Sequence, residues 1–200
     1  DQIDAFRNPL AEGEYALAKY LDVKLPEQWE IFVQPFLNGD RPDIVIFNKA
    51  VGLTIYEVKD WQPGLYHSKI RQIKDKLTGQ YRTVRQFYVK VNGREQPILN
   101  PQTQVNSYRH NLIGLYIPDI GEAIDSYTPN LTSFKLAVYF HKMTTNQAIG
   151  LMQTNPSHCS VFGHDTLKSP LNSEMARVAP DMNRIKHSGM REEWSKKIRF

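Results

Sequence analysis

Between residues 10 and 21 the apolar side chains Leu10, Leu17, Ala18 and Leu21 recur at helical spacing, which predicts an amphipathic helix. Glu14 falls in the same stripe, four residues after Leu10 and three before Leu17, so its carboxylate projects from the face that turns inward. That is costly without a partner. The plainer reading places Glu14 in an exposed first turn, where its charge favours the helix dipole.

After Pro26 the period changes. Runs 29–37, 42–47 and 53–61 are short and rich in β-branched and aromatic residues, and they are separated by Asn38-Gly39-Asp40 and by residues 48–52, so they predict a strand meander. Alternation puts Asp43 on one face with Val45 and Phe47, and Glu57 and Lys59 on one face with Leu53, Ile55 and Trp61. Further on, the pattern predicts a helix or loop over 68–78 and two strands, 83–91 and 95–99, about a turn at Asn92-Gly93. Asn100 offers an N-cap and Pro101 a first-turn residue for a helix running to about residue 116, with Gln104, Tyr108, Leu112 and Leu115 on one stripe. The strongly apolar 134–141 predicts a buried central strand. A short helix over 145–152, a short strand over 160–163, a helix around 173–178 and a basic amphipathic tail complete the reading, without internal repeats.

Composition narrows the class. The 200 residues are 40% hydrophobic and 23% charged, enough for one sizeable core and unlike a disordered tail. No apolar run approaches the roughly 18 to 20 residues of a membrane helix. A single cysteine, Cys159, excludes a disulfide framework and fits a reducing, cytoplasmic setting. His158 and Cys159 lack two further ligands at zinc spacing, and Cys159 with His164 lacks the surroundings of a nucleophilic pair, so a buried structural cysteine is expected. The chain starts at Asp1 with no charged-then-apolar leader, so it is expected to be a piece of a longer protein.

The formal charge of +4 averages opposed regions. Residues 1–60 carry six basic and eleven acidic side chains, whereas 61–94 carry eight basic ones against Asp75 alone. In that stretch Lys69, Arg71, Lys74, Lys76, Arg82 and Arg85 alternate with Tyr66, Tyr81, Phe87 and Tyr88. Cations neutralise phosphates and aromatic faces stack on bases, so the composition suits a nucleic-acid contact; the bland alternative is a solvated insertion whose charge keeps it soluble.

The candidate chemistry lies in Asp43 and, after thirteen intervening residues, Glu57-Val58-Lys59. Antiparallel pairing of the second and third strands brings the two carboxylates side by side, and like charges there call for a compensating cation. Mg²⁺ prefers oxygen ligands and commonly takes one or two carboxylates plus a substrate phosphate. Lys59, on the same face, is placed to orient water or stabilise developing charge. The competing reading is a cross-strand salt bridge between Lys59 and either acid.

These residues resemble a known family. Asp43 after Pro42, the Glu57-Val58-Lys59 strand, the helix with Glu14 and the Asn100-Pro101 helix with Gln104 and Tyr108 look like the PD-(D/E)XK nuclease superfamily, and more narrowly like its nuclease-related domain, NERD. The resemblance covers about residues 10–165. It implies an α/β, restriction-endonuclease-like core of order αβββαβ, with a mixed central sheet flanked by helices; the basic hairpin read at about 62–99 is an insertion larger than such a core needs. It also implies DNA phosphodiester cleavage dependent on Mg²⁺ or Mn²⁺. Carried over by position, Asp43 and Glu57 are metal ligands with the Val58 carbonyl as a third, Lys59 is the catalytic lysine and Glu14 an accessory acid. Gln104 with Tyr108 matches a glutamine-tyrosine signature of DNA-end-processing members. Such domains are often joined to helicase modules, and since no phosphate loop of the Gly-x4-Gly-Lys type occurs here, a motor would lie outside this chain. The expected organisation is a nuclease domain over 1–170 and a helical extension over 171–200. The rivals are a DNA-binding module without catalysis that uses the 61–94 patch, and an RNA-directed nuclease or regulatory domain.

Overall fold

The computed structural model describes residues 9–37, 39–48, 52–75, 77–112, 134–153 and 159–171. Its centre is a five-stranded mixed sheet built from β1 (Glu30–Val33), β2 (Ile44–Asn48), β3 (Gly52–Lys59), β7 (Phe134–Phe140) and β8 (Ser160–Gly163), in that spatial order. The first three strands pair antiparallel, as a meander of short connections must, and β3–β7–β8 pair in parallel.

Helix α1 (Glu12–Lys24) covers one face of the sheet. Its Leu17, Ala18, Tyr20 and Leu21 pack against Ile44, Ile46, Tyr56, Val58, Ala137 and Tyr139. On the other face, α2 (Pro101–Asn111) and α3 (Thr145–Met152) bury Val105, Tyr108, Ala148 and Met152 against Val45, Phe47, Leu53, Ile55, Val138 and Phe140. Strict alternation along β2 and β3 feeds both layers, so each strand is buried on both sides and is apolar but for Asn48, Thr54, Glu57 and Lys59. The fold is therefore mixed α/β, with a sheet sandwiched between helices as a restriction-endonuclease-like core requires.

The inserted segment departs from expectation. Residues 66–74 form a strand, β4 (Tyr66–Lys74), where a helix or loop was expected, and with β5 (Tyr81–Val91) and β6 (Arg94–Ile98) it makes a separate three-stranded antiparallel sheet in place of a simple hairpin. Ile70 and Ile73 lie three apart, which reads as helical, but neither is buried. A ribbon with no buried face has no reason to alternate apolar and polar residues, so its strand character leaves no period in the sequence. Inner residues Phe87 and Ile98 dock this small sheet on the α2 side of the core, and Trp61 stacks on Tyr66 with ring centroids 4.5 Å apart.

Two boundaries also shift. The first strand stops at Val33 because Gln34 takes a left-handed conformation, φ 47°, and Leu37 then makes only an isolated bridge with Asp40. The expected ends of the α2 helix beyond residue 112, the helix at 173–178 and the tail lie outside the described residues. No helix among the described residues is long and apolar enough to cross a membrane.

Candidate active site

Asp43 stands one residue before β2. The register pairs Ile44 with Tyr56, so the next step outward sets Asp43 opposite Glu57 on the face covered by α2. Asp43 Oδ2 accepts the Val58 N–H at 2.6 Å, which holds the carboxylate over the β3 backbone. Glu57 is 2% exposed. Its Oε1 takes an ion pair from Lys59, two residues along the same strand face, while Oε2 is buried without a hydrogen-bond partner among the described residues.

Electrostatics follow from that burial. The Asp43 carboxyl is pushed up to about 8, first because it is desolvated, then because the Glu57 carboxylate lies beside it, with Glu14 adding a smaller repulsion; the Val58 N–H opposes these. Glu57 is also raised, by burial, against the pull of the Lys59 ammonium. The Tyr108 hydroxyl lies near enough to favour ionised Glu57, short of a hydrogen bond to Oε2.

Helix α2 supplies the polar side of the site. It starts where Asn100 caps it, its side chain accepting the Gln102 N–H at 2.9 Å, and Pro101 occupies a first-turn position that needs no donor. One turn in, Gln104 Oε1 accepts from Lys59 Nζ at 3.2 Å, and Gln104 Nε2 donates to the Tyr108 hydroxyl at 2.7 Å. Glu57, Lys59, Gln104 and Tyr108 thus form one continuous chain of contacts.

Glu14 arrives from the opposite face, at the start of α1. It is buried, and its Oε2 accepts both the Ala11 N–H and the Gln34 side-chain amide at 2.9 Å. Gln34 in turn gives its backbone N–H to the Asp43 carbonyl at 2.8 Å. Gln34 is a site residue that sequence reasoning missed. A left-handed glutamine carries no compositional signal, and such strained residues concentrate at functional sites. Gly13 was also passed over: a Cβ there would come closer than 3.0 Å to Asp60 Oδ1, His141 Cβ and Val58 Cγ1, so only glycine lets α1 approach the sheet at this point.

The basic residues have separate fates. Lys69 pairs with Glu95 at 2.6 Å, and Arg85 is engaged by Ser68 Oγ at 2.9 Å and Gln153 Oε1 at 2.7 Å. Arg71 lies over the Tyr88 ring and Lys74 over Tyr81, while Arg82 is exposed. Lys76 lies outside the described residues. Tyr108 is buried within the α2 chain of contacts, in the same core cluster as Phe87. The Cys159 thiol is buried and pushed up to about 12, a structural side chain.

Among the described residues no three His, Cys, Asp or Glu side chains converge as a complete metal cage. Two carboxylates with a spare buried oxygen nevertheless suit an oxygen-seeking divalent ion that keeps its waters. Compared with models of known protein families, residues 10–141 match NERD, described as the nuclease-related domain. Searches of curated proteins and of solved structures gave no match.

Proposed function

As the chain belongs to the nuclease-related domain family, we propose that it is a metal-dependent deoxyribonuclease that hydrolyses DNA phosphodiester bonds, the nuclease module of a larger DNA-processing or defence protein. The observation that carries this is the buried pair Asp43 and Glu57, both raised by burial, with Glu57 Oε2 left without a partner among the described residues. A carboxylate pair built only for stability would not be kept buried, adjacent and half-satisfied.

Asp43 and Glu57, with the Val58 carbonyl, would hold Mg²⁺ or Mn²⁺, which supplies Lewis-acid charge at a phosphate and a more acidic water. The protein's own contribution is positional. Lys59 has three N–H donors; Glu57 and Gln104 take two, and the third would serve a water or a phosphate oxygen. The Tyr108 hydroxyl fixes the Gln104 amide so that its oxygen faces Lys59. Glu14 anchors Gln34, and through it the Asp43 backbone, while its charge adds to the demand for a cation. A helicase motor would be supplied by another part of the polypeptide or by a partner chain.

Cleavage of plasmid and oligonucleotide DNA with and without Mg²⁺ or Mn²⁺ tests the proposal. Asp43→Ala and Lys59→Ala should each slow it by at least about 100-fold, the scale of losing one transition-state contact. Undiminished cleavage by either purified variant would sink it. The contact of Lys59 with Glu57 favours one other reading, a DNA-binding module of the same fold with an inert salt bridge; it predicts binding without cleavage in either metal.

A further inference from the structure

The β4–β5 ribbon runs out beyond the body of the protein. Its inner anchor is Arg85, tied to Ser68 and to Gln153 at the end of α3, and Ser68 Oγ also donates to the Leu151 carbonyl at 3.1 Å. Past that anchor neither face is covered by the described residues. Cross-strand pairing puts Ile70 on the face of Arg85 and Ile73 on the opposite face with Arg82, yet the two isoleucines are 57% and 41% exposed. At about 3.3 Å per residue, residues 70–74 and their partners form an arm roughly 15 Å long.

The arm has a distinct chemistry. Residues 69–85 carry six basic side chains and one acid, Asp75. That acid is consumed by the turn, where Oδ1 accepts the N–H groups of Leu77 and Thr78 at 2.9 and 3.0 Å. Leu77 at the tip is 98% exposed and Tyr81 68%. Solvent-exposed apolar residues at the end of a cationic ribbon fit a partner that offers phosphates along the sides and an apolar surface between them.

We propose that the β4–β5 ribbon is an arm that seats in the major groove of B-form duplex DNA. Arg71, Lys74 and Arg82 sit against the flanking phosphates, and Leu77 and Tyr81 face the base edges. The major groove, about 12 Å wide, admits a two-stranded ribbon and presents thymine methyl groups to apolar side chains, whereas the deep, narrow major groove of A-form RNA does not admit one. Lys69 and Arg85 are not contact residues, because Glu95, Ser68 and Gln153 already hold them within the fold. The inference rests on the reading of this chain as a protein that acts on DNA, and it assigns the grip to one element.

The test is binding of a labelled 30-base-pair duplex and of the corresponding single strand to the intact protein in EDTA, where no metal-dependent cutting intervenes. Arg71→Ala/Lys74→Ala/Arg82→Ala should weaken duplex binding at least about tenfold and reduce the slope of log K against log salt by about 2.7, or 0.9 per lost phosphate contact. Leu77→Ser/Tyr81→Ser should weaken duplex binding several-fold with the slope unchanged. Methyl green, a major-groove ligand, should compete, and netropsin, a minor-groove one, should not. Unchanged duplex affinity in both variants overturns the proposal, as does competition by netropsin alone. So do two other results: loss of binding to phosphatidylserine vesicles with duplex binding intact, which marks a membrane contact, and loss of a sedimenting dimer, which marks a self-interface. The two readings fail separately. A protein that grips duplex through the arm but never cleaves refutes only the nuclease, and one that cleaves with arm variants binding as the parent does refutes only the arm.

Discussion

Asp43 shows how far burial governs a single residue. Its carboxyl moves from 3.8 unfolded to about 8 folded, so the native state holds a proton that the unfolded chain has released. The sign follows: this contribution to stability is present below about pH 4 and is lost as pH rises through about 8, and Glu57 acts in the same direction. In EDTA, the melting temperature of Asp43→Asn relative to the parent should therefore climb between pH 4 and 8, because the amide never ionises; calorimetry across that range checks it. Saturating Mg²⁺ should erase the difference or reverse it, since an ion held by the two acids favours their ionised forms. The residues themselves were legible: Asp43, Glu57 and Lys59 fell on one face because β2 and β3 alternate strictly. Gln34 was not legible, since its role comes from a backbone angle and from Glu14 arriving across the sheet.

At the scale of elements, α1 is positioned by the lack of a side chain. Gly13→Ala drives a methyl group into Asp60, His141 and Val58, all three on or beside central strands, and should cost about 1 to 3 kcal/mol in denaturant unfolding. It should also weaken Mg²⁺ binding by calorimetry, because Glu14 moves with the helix. Leu17→Ala, wholly buried in the same layer, should cost about 2 to 5 kcal/mol without that selective effect on the metal. On the opposite layer, Asn100→Ala removes the cap of α2 and should cost about 1 kcal/mol. Helices α1 and α2 were readable because each has one buried stripe and, for α2, a cap and a proline. Strand β4 was not, because the ribbon to which it belongs buries little, and burial is what writes a period into a sequence.

For the whole molecule, the small positive charge resolves into two regions of opposite sign. The acidic first third contributes the carboxylates of the site, and the basic insertion is a second sheet docked beside it through Trp61, Tyr66, Phe87 and Ile98. Arg85→Ala should loosen that docking locally: about 0.5 to 1.5 kcal/mol per hydrogen bond lost, read as faster hydrogen exchange over β4 and β5 with the central sheet unaffected. The sequence by itself determined the helix–meander–helix–strand order, the buried central strand at 134–141 and the face shared by Asp43, Glu57 and Lys59. Those properties follow from local periodicity, which any stretch of chain carries within itself. Only the tertiary structure decided that Glu14 and Gln34 brace Asp43 from across the sheet, that Gly13 sets the distance of α1, and that Lys69 and Arg85 are tied inward while Arg82 stays exposed. Each of these depends on contacts between segments far apart in the chain, and such contacts leave no period for a sequence to display.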